Sequence, residues 1–319
     1  MRIVDMHCDT ISELFNNNNS ETLRLNSKHV DLLRMKDAGY LLQNFALFVN
    51  KQNFQDVKGR VLELFEYYQA EIARNNDLIS PMLCMDEFEE NRKQGKMSAV
   101  LTIEEGAALE GSVDTLKEFY DKGVRMITLT WNYPNELGFP HTYNKRSSKS
   151  EKFGLTDCGF RVVEAMESLG VIVDVSHLSD DGFYDVLSCT KKPFVASHSN
   201  AREVCNKSRN LTDDMIRALA ERGGVMGLNF YPLFLEDDKA NCGTIDSVIR
   251  HAKHIVNVGG IEVLGLGSDF DGIDGHEELP GVHAMPRLEE AFSKAGFSAL
   301  EIEKFLNGNV LRVYKDVIG

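Results

Sequence analysis

Paired cysteines, long apolar runs and an excess of positive charge are all missing from this 319-residue chain. Its six cysteines (Cys8, Cys84, Cys158, Cys189, Cys205 and Cys242) are scattered, and none stands in a CxxC spacing. That is a reduced, intracellular pattern, in which most of the thiols are expected to pack as small core residues. No stretch of about 18 apolar residues is present, so no membrane-spanning helix is expected. A removable leader finds no room, because an apolar segment carrying candidate ligands begins at Arg2. The last residues, Val310 to Ile318, have helical spacing rather than the character of an anchor tail. The expected location is the cytoplasm, with no membrane partner. Lys and Arg number 35 against 49 Asp and Glu, a formal net charge of −14. Such a chain repels phosphate backbones, and no basic patch or aromatic ladder compensates, so nucleic acid is not an expected partner. A Gly-rich first turn of the dinucleotide-binding kind is also lacking, which disfavours a cofactor-binding oxidoreductase. Linkers, repeats and low-complexity tracts are absent too. Residues 1–319 are expected to form one domain.

What the chain does have is alternation. Eight short apolar or β-branched runs lie near 2–7, 42–49, 98–104, 124–131, 171–177, 193–198, 224–230 and 263–269. Several are continuously hydrophobic, as parallel strands covered on both faces must be. Between them stand segments of helical spacing: Asp56 to Asn75, Thr156 to Leu169, Thr244 to Val258 and Leu288 to Ala295. Thr212 reads as an N-cap, with Asp213 and Asp214 at the positive end of the next helix dipole. Gly223-Gly224 and Gly259-Gly260 read as helix ends. Strand–helix alternation around eight strands predicts an α/β protein of the (β/α)8 barrel type. A core of this size folds without a metal, so any metal is there for chemistry first. Asn16 to Asn19 reads as a polar loop, and 134–152 as a mobile loop at the barrel mouth.

Metal-ligand residues recur where the apolar runs end. His7 and Asp9 close the first, Glu104 the third, His177 and His198 the fifth and sixth, and Asp269 the last. A (β/α)8 barrel brings the carboxyl ends of its strands to one place. Each residue alone has a plain alternative: a chance His-x-Asp, a solvated loop acid, a core histidine, a turn aspartate. Together, three imidazoles and two carboxylates can hold two divalent metals. Residues two apart on a strand face the same way, so His7 and Asp9 can share one ion while Cys8 packs into the wall. A carboxylate has two oxygens, so Glu104 can bridge, and neutral imidazole suits zinc. A water between two such cations is acidified toward hydroxide near neutral pH, and Asp269 can take its proton and return it to a leaving amine. His251 and His254 fall on a helix and read as surface residues; His141 is placed to reach the mouth.

The ordered motifs resemble one family. They are Asp5-Met6-His7-Cys8-Asp9, Ile103-Glu104-Glu105-Gly106, Gly170 to His177, Ser197-His198-Ser199, Ser208-Arg209-Asn210, Asn229-Phe230-Tyr231, Gly267-Ser268-Asp269-Phe270-Asp271-Gly272 and Gly308 to Val313. From His7 to about Tyr314 the chain is similar to the membrane (renal) dipeptidase family of zinc peptidases, M19. The resemblance implies two zinc ions, with His7 and Asp9 on one, His177 and His198 on the other, and Glu104 bridging. It implies Asp269 as the acid/base residue and Arg209 as the receiver of the substrate's terminal carboxylate, which a guanidinium can grip at both oxygens. A dipeptide substrate, tolerance of a D-residue on its C-terminal side and a homodimer follow from it as well. Two departures stand out. Family members often carry a histidine after the Leu-Thr of the fourth strand; here Leu129-Thr130 leads to Trp131-Asn132. Indole cannot carry a positive charge, so Asn132, His141 or a metal would take over, or the substrate differs. Glu105 stands where glycine is common, adding charge near the metals and a possible contact for a substrate amine. Trp131, Asn132 and Tyr231 are the further candidates for touching substrate. The competing expectations are another binuclear amidohydrolase acting on a cyclic amide or ester, or a metal-binding homologue without turnover.

Overall fold

The computed structural model describes residues 2–17, 21–144, 151–237, 243–274 and 276–319. Cys242, Asn18, Asn19 and positions 145–150 of the mouth loop lie outside the described residues. Among the described residues, nine parallel strands form one sheet: β1 Ile3–Asp5, β2 Tyr40–Phe48, β3 Ile79–Pro81, β4 Met97–Glu104, β5 Val124–Thr128, β6 Ile172–Asp174, β7 Val195–Ala196, β8 Val225–Leu228 and β9 Leu264–Leu266. Their order is β1-β2-β4-β5-β6-β7-β8-β9, with β3 paired only to β4. The Met6 N–H donates to the Leu266 carbonyl at 3.0 Å, and the Asp9 N–H to the Phe270 carbonyl at 3.0 Å. Those bonds bring the first and last strands together, and the fold is a nearly closed (β/α)8 barrel.

The eight expected runs are the eight barrel strands. β3 is the addition: Ile79, Ser80 and Pro81 pair with Met97, Ser98 and Ala99 of β4, below the point where β5 begins at Leu101. Three residues ending in proline carry too little pattern to announce a strand. Four expected helix starts hold, each with a side-chain acceptor for an orphan N–H, while the helix expected from Leu288 begins three residues earlier at Met285, without a side-chain cap. Asp56, Thr156, Thr212 and Thr244 accept from Gly59, Gly159, Met215 and Ser247.

Two apolar layers result. Val4, Met6, Leu42, Val100, Met126, Ile172, Val195 and Val225 fill the barrel interior, and Val310, Val313, Tyr314 and Val317 of the helix Asn309–Val317 join them. The C-terminal helix thus plugs the barrel, and the Tyr314 hydroxyl donates to Asn44 Oδ1 inside it at 2.7 Å. The second layer lies between strands and outer helices, where Phe45, Ile103, Val173 and Leu228 pack. Cys8 is buried in that layer, facing the wall as expected.

One expectation fails. His251 is fully buried, not on the surface. It falls on the inward stripe of the helix Ile245–Gly259 with Ser247, Val248 and Ile255, at i−4, i−3 and i+4. Its Nδ1 accepts the Ala201 N–H at 3.1 Å, and its Nε2 lies 3.0 Å from the Leu235 carbonyl. His254 is half-buried against Asp213.

Burial pushes the His251 pKa down from 6.5 to about 4. The folded state therefore binds fewer protons than the unfolded one over that window. The neutral ring's contribution is intact above about pH 6.5 and lost progressively toward pH 4, at a cost of up to ~3 kcal/mol. Thermal unfolding should show a smaller drop in Tm between pH 7 and pH 4.5 for His251→Gln than for the parent chain.

Candidate metal centre

The six expected residues meet at the carboxyl end of the barrel. Glu104 is the last residue of β4, while His7, His177, His198 and Asp269 lie two or three residues beyond the ends of β1, β6, β7 and β9, and Asp9 four beyond β1. All are buried, with relative exposures of 9% or less. His7 Nε2 faces Glu104 Oε2 at 3.2 Å, Asp9 Oδ2 at 3.4 Å and Asp269 Oδ1 at 3.7 Å. On the other side of the same carboxylate, Glu104 Oε1 faces His177 Nε2 at 3.1 Å and His198 Nε2 at 3.5 Å. The two Nε2 atoms are 3.1 Å apart, and the His7 and His198 rings stack at 3.9 Å. His177 and Asp269 reach these positions through left-handed backbone, with φ of 67° and 64°. For residues with a Cβ that conformation costs about 1–2 kcal/mol, and it persists where the surroundings over-determine it.

The protons show what the cluster requires. Asn132 Oδ1 lies 2.9 Å from His177 Nδ1 and 3.1 Å from His141 Nε2; a carbonyl oxygen accepts, so His177 carries its proton on Nδ1. The Ser197 hydroxyl donates to Asp174 Oδ2 at 2.6 Å and lies 2.8 Å from His198 Nδ1, so it accepts there and His198 is also protonated on Nδ1. Both Nε2 atoms then present lone pairs to each other and to Glu104 Oε1. Three acceptors converge with no hydrogen among them. His7 Nε2 and Asp9 Oδ1 are buried without a hydrogen-bond partner among the described residues. Such a set suits a cation. Ligands bound tetrahedrally at about 2.0–2.1 Å stand ~3.3 Å apart, which the spacings of 3.1–3.5 Å match. The residues fit a metal. Grouping by mutual reach gives His7, Glu104 and His198 as one set and His7, Asp9 and Asp269 as another.

Burial and the crowding of like charge shift the protonation of these groups. Burial raises the pKa of Glu104. Burial, with Asp9 and Glu104 nearby, pushes Asp269 up to about 7 against the opposing pull of His7 and Arg209. Burial alone would discharge His7, but Glu104 and Asp9 outweigh it and hold its pKa well above the ordinary value. His177 and His198 are held far below it, chiefly by burial.

A cavity of about 670 Å³ opens over this cluster. Asp9, Glu104, His177 and Asp269 line its floor, and Phe48, Trp131, Asn132, Tyr231 and Phe234 contribute to its walls. Trp131 lies 4.9 Å from the Phe48 ring and 6.2 Å from His177.

The family model for membrane dipeptidase (Peptidase family M19) matches residues 1–318. The chain belongs to that family. It is a metallo-dipeptidase. An uncharacterized dipeptidase of Schizosaccharomyces pombe is 33% identical over 302 residues, 91% of this chain and 72% of that protein. Among solved structures, a dipeptidase of family M19 superimposes with a TM-score of 0.92 at 27% identity, covering 100% of this chain and 99% of that one. A Rhodobacter sphaeroides metallopeptidase liganded with a phosphinate mimic of the dipeptide L-Ala-D-Ala gives 0.91 at 26%, covering 99% of each.

Elsewhere in this dipeptidase, the expected place of Glu105 needs correction, and other expected residues take definite positions. Glu105 does not face the cavity. With φ of 98° its side chain turns back into the wall, where Oε1 accepts from the Ala107 N–H and from Asn135 Nδ2 at 2.6 Å. Arg209 is buried and does not line the cavity; its guanidinium donates to Ser199 Oγ at 2.7 Å and to the His198 carbonyl at 2.9 Å, beside Phe234. His141 reaches the centre only through Asn132, and Ser208 Oγ holds its other nitrogen at 2.8 Å. The described part of the mouth loop is pinned: Leu137 is fully buried, and Asn135 Nδ2 also donates to the Leu129 carbonyl. Asn229 was not anticipated. Its Nδ2 donates to Asp269 Oδ2 at 2.7 Å, while its Oδ1 accepts the Tyr231 N–H. Its place in the Asn229-Phe230-Tyr231 motif was the available signal, but nothing in the spacing gave it a partner.

Gly272 covers the floor of the site. A Cβ there would lie 2.1 Å from Asp9 Oδ2 and 2.7 Å from Asp269 Oδ1. Gly272→Ala should therefore displace Asp9 and weaken metal affinity by about 10-fold or more, read by competition with a chelator. Gly308→Ala, whose methyl meets nothing closer than 3.7 Å, should leave the affinity unchanged.

Proposed function

We propose that this metallo-dipeptidase hydrolyses dipeptides, L-Xaa-D-Xaa among them, with two zinc ions. One observation carries the reading: His177 Nε2, His198 Nε2 and Glu104 Oε1 converge as proton-free acceptors, with His7 and Asp9 on the opposite carboxylate edge. His7 and Asp9 would hold one ion, His177 and His198 the other, and Glu104 both. The donor set of imidazole nitrogen and carboxylate oxygen suits zinc. Bound there, the metals supply Lewis acidity for the scissile carbonyl and a water acidified for attack near neutral pH. The phosphinate mimic of L-Ala-D-Ala in the Rhodobacter sphaeroides relative supports a D-residue on the C-terminal side.

The protein's own groups do the rest. Asn229 holds Asp269 Oδ2 and leaves Oδ1 as the oxygen that takes a proton and returns it to the departing amine. Asn132 and Trp131 wall the cavity beside His177, and Tyr231 stands across from them on the β8 side. We propose that Arg209, whose buried Nε has no partner among the described residues and whose guanidinium lies against Phe234 of the cavity wall, receives the terminal carboxylate of the substrate.

Metal analysis with a panel of L-L and L-D dipeptides, lactams and esters tests this. The expected result is about two metals per chain and chelator-sensitive cleavage of dipeptides. Turnover that survives complete metal removal, or activity confined to lactams or esters, would sink it. Asp269→Asn should lower kcat by about 100-fold or more with metal content retained. His177→Ala should lower metal content and rate together.

A further inference from the structure

Two strands of this barrel are the same tripeptide. β1 is Ile3-Val4-Asp5 and β6 is Ile172-Val173-Asp174. Both aspartates are completely buried, and neither lines the cavity. A buried carboxylate must be surrounded by donors. Asp174 Oδ1 accepts the N–H groups of Ser176 and Ser197 at 2.9 and 2.8 Å, and Oδ2 accepts the hydroxyls of Thr128 and Ser197, each at 2.6 Å. Asp5 Oδ1 accepts the N–H groups of His7 and Ser268 at 3.2 and 3.0 Å, and Oδ2 accepts the Ser268 hydroxyl at 2.6 Å. In both cases the serine belongs to the neighbouring strand's end and immediately precedes a residue of the centre: Ser197 before His198, Ser268 before Asp269.

The first clamp reaches a side chain. Ser197 has one hydroxyl proton and spends it on Asp174, so it can only accept from His198 Nδ1 at 2.8 Å. Its third neighbour, Ser176 Oγ at 3.3 Å, can donate to it without conflict. Were the serine removed, His198 could move its proton to Nε2 and give it to Glu104 Oε1, 3.5 Å away. A cation would then have to displace that proton before binding.

We infer that Asp174 is a positioning residue: acting through Ser197, it fixes the tautomer of His198 and keeps its Nε2 lone pair on the metal side. Asp5 and Ser268 repeat the clamp at the level of the backbone. The consequence for metal rests on the two-metal reading, but the tautomer does not, because it can be read without any ion.

Histidine 15N–1H spectra of the metal-free protein, with zinc competition and the Co(II) absorption spectrum of the loaded protein, test the inference. The parent chain should show His198 protonated on Nδ1. Ser197→Ala should move that proton to Nε2, weaken zinc at this site by about 10–100-fold and change the Co(II) spectrum. Asp174→Asn should do the same by a different route. An amide NH2 in place of Oδ2 donates to Ser197, which must then donate to His198. Ser197→Thr, which keeps the hydroxyl, should restore both tautomer and affinity. Thr128→Val removes another donor to the same oxygen without touching the serine, so it should lower stability but leave tautomer and affinity alone. If Ser197→Ala and Asp174→Asn keep the Nδ1 proton and bind zinc within twofold of the parent, the cluster is structural only and the inference is overturned. A parent chain with the expected tautomer but no zinc uptake would sink the two-metal reading and leave the clamp standing.

Discussion

One carboxylate organises the mouth of this barrel. Glu104 is buried and offers its two oxygens in opposite directions, one toward His7 and one toward His177 and His198. A buried anion in this position is costly unless positive charge is shared with it. It is held by the best-supported strand of the sheet. β4 has eight consecutive buried residues and pairs with β2, β3 and β5. The other residues of the centre come from beyond the strand ends, where backbone direction can be chosen. The centre is therefore built inward onto a fixed point.

That freedom is constrained in turn. His177 and Asp269 occupy left-handed backbone, and the N–H and carbonyl bonds of neighbouring strand ends surround them: the Asp269 N–H donates to the His7 carbonyl at 3.3 Å, and the His141 N–H to the His177 carbonyl at 2.7 Å. Each imidazole of the second pair has its distal nitrogen engaged, by Asn132 for His177 and by Ser197 for His198. Such outer contacts decide which ring nitrogen is free, and so whether a ligand set is ready for a cation or must reorganise first. Above the polar floor, Phe48, Trp131, Tyr231 and Phe234 give the cavity an apolar part, and Glu13, Asn16, Lys28 and His29 a polar one. A charged floor under walls that are apolar in one part and polar in another suits a small substrate with a polar reacting centre.

The contrast between Asp5, Asp174 and the nearby glutamate shows how a sequence conceals roles. A charged residue within an apolar run is visible in the primary structure, and both aspartates stood in motifs that could be quoted. What they grip could not be read, because Ser268 and Ser197 are 263 and 23 residues away. Glu105 was misread for the complementary reason. It adjoins Glu104, and adjacency suggested a shared pocket, but a φ of 98° at that residue sends its side chain into the wall. His251 failed because a histidine on a helix looks polar until the neighbouring Val248 and Ile255 show which stripe it shares.

By itself the sequence determined the barrel, its eight principal strands, the Thr212 cap and the ligand candidates. These depend on short-range periodicity, capping chemistry and the rule that parallel strands share one carboxyl end. It could not determine which nitrogen of each histidine carries the proton, that Arg209 lies under the wall rather than in it, or that Asn229 steadies Asp269. Those follow from contacts between segments far apart in the chain. A hydrogen bond is fixed by distances of a few tenths of an ångström, and only the closed tertiary structure sets such distances.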